Sequence, residues 1–173
     1  MHRNIFIIIT LICLLSACAA DKGESVNLRA ADPRPEVQLR TAPVGAGDSV
    51  VLQALSLLGV GYKYAGKIPQ TGFDCSGLVR YVYREAQGIE LPNTAGELAR
   101  VGKKIERNAL QPGDLVFYNT LRRANSHVGI YLGENRFIHA PSPGSEVRIE
   151  DMTLQYWVAR FDGARRIVDT SSQ

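Results

Sequence analysis

The chain is poor in residues able to do covalent chemistry. Its 173 residues include three cysteines, three histidines, one tryptophan and two methionines. Cys13, Cys18 and Cys75 contain no C-x-x-C pair, so the short ligand spacing of a structural zinc centre is missing. One apolar run stands out, Ile5 to Leu15, and it is shorter than the roughly 20 residues needed to span a bilayer. Charge is nearly balanced, with 20 Lys and Arg against 17 Asp and Glu and a formal net charge of +3. That is too mild for a nucleic-acid partner. No internal repeat is visible, which argues against a repeat architecture. Nothing in the residue set asks for a cofactor.

What is present begins with a leader. His2 and Arg3 precede the Ile5–Leu15 run, the pattern of a secretory signal over residues 1–17. It ends in Leu15-Ser16-Ala17-Cys18, which resembles the lipobox of bacterial lipoproteins. The resemblance implies that Cys18 is lipidated and becomes the mature N-terminus, anchoring the protein to a membrane. Because Ala19 and not Asp follows, it also implies the outer membrane of a Gram-negative host, facing the periplasm. Residues 18–47 then form the lipidated N-terminus and a flexible tether, with Pro33, Pro35 and Pro43 and no apolar periodicity. A tether of that length spans on the order of 30 Å. Loss of Arg3 with the leader lowers the formal charge from +3 to +2, which suits a partner carrying carboxylates.

This processing leaves Cys75 as the one free thiol, in a compartment that oxidises thiols. An unpaired exported cysteine points to reactivity. Its setting agrees. Asp74 is a good N-cap, Cys75 follows at the first helical position, Leu78, Val79, Val82 and Ala86 make one apolar face, and Gly88 ends the helix. The positive end of a helix favours a thiolate.

Residues 48–166 form one domain and residues 167–173 a tail. Asp48 or Ser49 caps a first helix to about Leu58, with Val51, Ala54, Leu55 and Leu58 inward. A loop, Gly59 to Gly66, carries Tyr62 and Tyr64. Thr94 opens a short third helix to about Val101. Strands are expected at 115–118, 127–132, 136–140, 147–149 and 157–161. Helices first and antiparallel strands second predict an α+β domain, with helices on one face of a small sheet.

His127 and His139 flank a predicted hairpin around Gly133-Glu134-Asn135. Side chains alternate faces along a strand, so the loop length decides whether the imidazoles meet. A three-residue loop puts both on one face. A two-residue turn puts them on opposite faces. In the first case Cys75, His127 and His139 have the logic of a nucleophile, a base and a group that orients the base. The same three residue types also suit a metal, though zinc would quench the thiolate.

Four motifs carry a wider resemblance: Phe73-Asp74-Cys75-Ser76-Gly77-Leu78-Val79, Gln111-Pro112-Gly113-Asp114-Leu115-Val116-Phe117-Tyr118, His127-Val128-Gly129-Ile130-Tyr131-Leu132-Gly133 and Phe137-Ile138-His139-Ala140. Together they resemble the NlpC family of papain-like cell-wall endopeptidases, from about Val50 to Phe161. The resemblance implies a papain-like fold with Cys75 as nucleophile, His127 as general base and later acid, and His139 as the residue that orients it. It implies that Tyr62 helps bind the oxyanion and that Asp74 and Ser76 line the substrate cleft. The partner implied is peptidoglycan, cut at a bond between D-glutamate and diaminopimelate or at the D-alanyl–diaminopimelate cross-link. Arg80, Lys63, Arg122 and Arg123 are candidates to pair with stem-peptide carboxylates. Ala65, where many members have Gly, and Gly61, where many have Pro, depart from the pattern. A papain-like amidase or acyltransferase and a non-enzymatic wall-binding lipoprotein are the alternatives. A monomer is expected, with a protein regulator as an open partner.

Overall fold

The computed structural model describes residues 45–167. The leader, Cys18, the tether as far as residue 44 and the tail from residue 168 lie outside the described residues. No helix among the described residues is long and apolar enough to cross a membrane.

Asp74 starts the element that the rest packs against. Its carboxylate accepts the Gly77 N–H at 2.7 Å and the Ser76 hydroxyl at 3.0 Å, which caps helix α2 (Cys75–Gln87). Gly88, at φ 65°, closes the other end in the left-handed conformation that an L side chain resists. Leu78, Val79 and Val82 are fully buried, and each contributes about 1.5–3 kcal/mol relative to exposure. Tyr83 also faces inward and donates its hydroxyl to the Gly113 carbonyl at 2.5 Å.

Helix α1 (Ala46–Leu55) begins ahead of the Asp48/Ser49 cap expected from sequence, with Gly45 at the N-cap. The added turn is held by tertiary contact. The Gln87 amide of α2 donates to the Ala46 carbonyl at 3.2 Å, and the Ser49 hydroxyl reaches the same oxygen at 2.9 Å. The buried face also differs: Val50, Ala54 and Leu57 point inward while Leu58 is 45% exposed. Both stripes have helical spacing, and the position of α2 selects between them. A third helix, α3 (Ala95–Leu98), has a capping box in which Thr94 and Glu97 bond reciprocally. It ends short of Val101 because Arg100 and Val101 bond three residues back, to Glu97 and Leu98.

A small ribbon, β1 (Lys67–Ile68) and β2 (Gly72–Phe73), leads into α2. The main sheet is antiparallel and six-stranded: β3 (Lys103–Ile105), β4 (Leu115–Tyr118), β5 (His127–Gly133), β6 (Arg136–His139), β7 (Arg148–Asp151) and β8 (Phe161–Arg166). Its spatial order is β3-β8-β4-β5-β6-β7. Strands 115–118, 127–132 and 136–140 fall where expected, and 147–149 lies slightly early. The strand expected at 157–161 does not exist. Gln155–Val158 is a short helix, α4, because the Leu154 carbonyl accepts the N–H groups of Trp157 and Val158. The strand starts at Phe161 instead. Its polar run, Asp162 to Arg166, hides it from an alternation test, and it is held between β3 and β4.

Alternation splits the sheet. Leu115, Phe117, Val128, Ile130 and Ile138 join α1 and α2 in one core. Val116, Tyr118, Tyr131, Phe137 and Ala164 join Met152 and Trp157 in another. The α+β arrangement is as expected, except that the second face is also covered. Buried Asp114, just before β4, is tied to the neighbouring strand β8: Arg166 grips it at 2.7 and 2.8 Å, and the Gln111 N–H donates to it at 2.8 Å.

Candidate active site

The β5–β6 hairpin decides the site. Its turn has two residues, Glu134 and Asn135, both at positive φ (51° and 58°). Strict alternation would then separate the histidines. A bulge corrects this. Tyr131 pairs with Phe137 and Gly133 pairs with Arg136, so Leu132 is an extra residue that shifts the register by one. The pairing then runs as a three-residue loop would give it, and His127 and His139 share the Trp157 face of the sheet. His127 Nε2 lies 2.7 Å from His139 Nδ1, with both rings buried. That contact engages Nε2 of His127 and leaves Nδ1 as the ring nitrogen turned away from His139.

Cys75 meets the start of β5. The Val128 backbone N–H donates to its sulfur, which places the thiol against the peptide joining His127 to Val128. The N–H groups of Ser76 and Cys75 at the helix N-terminus, and that of Val128 on β5, all favour the thiolate. Burial outweighs them, with the Asp74 charge adding to it, and the thiol is pushed up to about 11. The helix end thus favours the thiolate, as the sequence predicts, and burial outweighs it. Burial also lowers His127 to about 4 and lowers His139 strongly. Burial thus favours the neutral thiol and neutral imidazoles over their charged forms.

The Tyr62 loop is stitched to the strand before Cys75. The Tyr62 N–H donates to Ser145 at 2.8 Å, the Lys63 N–H to Phe73 at 2.9 Å and the Phe73 N–H to Gly61 at 3.1 Å. Burial and the neighbouring Cys75 and Asp74 charges raise the Tyr62 hydroxyl, so it stays a proton donor at neutral pH. Ala65 holds φ 56°, a left-handed conformation that glycine adopts more readily than alanine. At Gly77 a Cβ would overlap the Gly66 carbonyl oxygen, so α2 and the Tyr62 loop approach too closely for any side chain.

A cleft of about 830 Å³ opens over Cys75, bordered by Tyr62, Asp74 and Ser76. The Asp74 carboxylate is engaged in the helix cap, and Ser76 is turned into that cap. Arg80 and Arg123 line the cleft; Lys63 and Arg122 do not. Lys67 and Arg100, not singled out in the sequence, also line it, against the acids Asp74 and Glu97. Arg80 is held by the Leu91 carbonyl at 2.9 Å. Among the described residues, no group of three or more His, Cys, Asp or Glu is arranged to hold a metal ion.

Trp157 was read as a strand residue. Its ring instead lies against both imidazoles, with centroids 5.3 Å from His139 and 6.2 Å from His127. Only its being the single tryptophan marked it in the sequence.

Residues 59–166 match the NlpC/P60 family. Murein DD-endopeptidase MepH of Escherichia coli is 43% identical over 114 residues, covering 64% of this chain and 42% of MepH. Murein DD-endopeptidase MepS/murein LD-carboxypeptidase of the same organism is 36% identical over 174 residues, covering 91% of this chain and 88% of MepS. The crystal structure of the NlpC/p60 domain of peptidoglycan hydrolase SagA superposes with a TM-score of 0.61 at 35% identity. That match covers 69% of this chain and 97% of that one. By its motifs, its fold and these relatives, the chain belongs to the NlpC/P60 family.

Proposed function

We propose that this protein is a thiol endopeptidase that hydrolyses peptide bonds in peptidoglycan through a Cys75 thioester. The observation that carries the reading is the 2.7 Å His127–His139 contact beside a thiol seated on the His127–Val128 peptide. Relatives named murein DD-endopeptidase and gamma-DL-glutamyl hydrolase keep both the D-alanyl–diaminopimelate cross-link and the D-glutamyl bond within this reading.

The chemistry follows from the neutral resting site. His127 Nδ1 takes the thiol proton as sulfur attacks the amide carbonyl. The Tyr62 hydroxyl and the Cys75 N–H stabilise the oxyanion. The imidazolium then gives its proton to the leaving amine, and the C–N bond breaks. Water, deprotonated by His127, attacks the thioester and releases the acid and the thiol. Throughout, His139 Nδ1 accepts the Nε2–H of His127 and holds its tautomer. Lys67, Arg80, Arg100 and Arg123 suit stem peptides that carry carboxylates. Asp74 and Ser76 line the cleft beside the nucleophile.

The reading includes location. Residues 1–17 leave as a signal peptide, lipid on Cys18 anchors the protein at the periplasmic face of the outer membrane in a Gram-negative host, and the tether lets a monomeric domain reach the wall. Support comes from the Leu15-Ser16-Ala17-Cys18 motif.

Digestion of purified sacculi, followed by mass spectrometry, tests the activity. Wild type is expected to convert cross-linked dimers to monomeric stems, and Cys75→Ala to release nothing. Release of sugar-free stems would indicate an amidase. Equal binding by both proteins without release would indicate a wall-binding module and overturn the peptidase.

A further inference from the structure

His139 is buried completely, and its Nε2 has no hydrogen-bond partner among the described residues. A buried N–H left unpaired costs about 1–3 kcal/mol. A carboxylate approaches it: Glu150 on β7, with Oε1 at 3.9 Å. This carboxylate is not free to wander. Arg148 grips Oε1 at 2.7 Å and the Trp157 indole N–H donates to Oε2 at 3.4 Å. Phe137, Trp157 and Arg148, which also neighbour His139, offer no acceptor.

Tautomers give this contact a role. For His127 to act as a base, its Nδ1 must carry a lone pair, so its proton is on Nε2. That proton must point at a lone pair on His139 Nδ1, which forces the His139 proton onto Nε2. The His139 Nε2–H then needs an acceptor on the β7 side. If His139 instead held its proton on Nδ1, His127 would have to place its own proton on Nδ1, and that nitrogen could not accept another.

We propose that Glu150 is a positioning residue: its carboxylate draws the Nε2–H of His139 and so fixes the tautomers of both histidines. A movement of about 1 Å brings the 3.9 Å approach into hydrogen-bond range. Arg148 aims the carboxylate, and the Trp157 ring shields the line from water. This rests on the peptidase reading for its consequence in turnover, but its tautomer claim stands apart from it.

The experiment is long-range ¹H–¹⁵N correlation NMR of the histidine rings in the wild-type protein, Glu150→Gln and Glu150→Leu, paired with steady-state kinetics on cross-linked stem peptides. Wild type and Glu150→Gln, which keeps an acceptor oxygen, are expected to hold His139 protonated on Nε2. Glu150→Leu is expected to mix the tautomers and lower kcat about 10- to 100-fold with little change in KM. Glu150→Gln should recover most of that loss. Finding His139 protonated on Nδ1 in the wild type overturns the proposal, whether or not Glu150→Leu folds. So does a Glu150→Leu variant with unchanged tautomer and unchanged kcat. If the wild type cleaves no stem peptide, the peptidase reading falls, and the ring spectra still decide the role of Glu150.

Discussion

His127 Nε2 and His139 Nδ1 are 2.7 Å apart, with their rings nearly perpendicular at 87°. Removing His139 therefore leaves the buried Nε2 of His127 without its hydrogen-bond partner. His139→Ala is predicted to cost about 1–3 kcal/mol of stability. It should lower kcat/KM on stem peptides on the order of 10²–10⁴-fold. His139→Asn, which offers a side-chain carbonyl, should recover part of the activity. Equal activity in His139→Ala and wild type would remove His139 from the site.

The turn that makes this contact is chemically imperfect. Glu134 and Asn135 occupy two positive-φ positions, where Asn-Gly is favoured. The double change Glu134→Asn, Asn135→Gly should raise stability by roughly 0.5–1 kcal/mol in urea unfolding and leave kcat unchanged. The exposed Arg136–Glu134 pair is lost, but such a pair contributes at most about 1 kcal/mol and commonly much less. A destabilised double variant would mean that the turn is not what limits the hairpin.

Acid should weaken the fold through the two histidines. Above pH 6.5 the imidazoles are neutral in both folded and unfolded chains. As pH falls from 6.5 towards 4, the unfolded chain binds protons that the buried rings refuse, so stability drops across that window. The loss from His127 alone is on the order of 3 kcal/mol. Urea midpoints measured from pH 7 to pH 4 should fall, and less steeply in His139→Asn. A flat profile would contradict burial of neutral rings.

Two glycines should respond in opposite directions. Gly77→Ala pushes a methyl group into the Gly66 carbonyl and is predicted to cost at least about 3 kcal/mol and disturb the Tyr62 loop. Gly96 on α3 has no neighbour within 4 Å of its missing Cβ, and Gly96→Ala should gain up to about 1 kcal/mol. Thermal unfolding of both variants checks the pair. Tolerance of Gly77→Ala would show that the loop can yield.

The site was legible where chemistry and local rules coincide. Asp74 before Cys75 and Gly88 after Gln87 bound a helix whose caps depend on neighbouring residues alone. What local rules could not reach were contacts made by distant chain. Trp157 read as a strand residue because its neighbours are apolar, yet a turn at Leu154 aims it at the histidines. β8 was displaced because its burial comes from β3 and β4, not from its own alternation.

By itself, the sequence determined the helix that starts at Cys75, the three chemical residue types, and the α-then-β order, because capping and periodicity act within a few residues. Only the tertiary structure decided that a bulge at Leu132 returns His127 and His139 to one face, that burial outweighs the helix end at Cys75, and which cations line the cleft. Those outcomes depend on register, desolvation and the approach of distant segments, which acquire their values when the chain has packed.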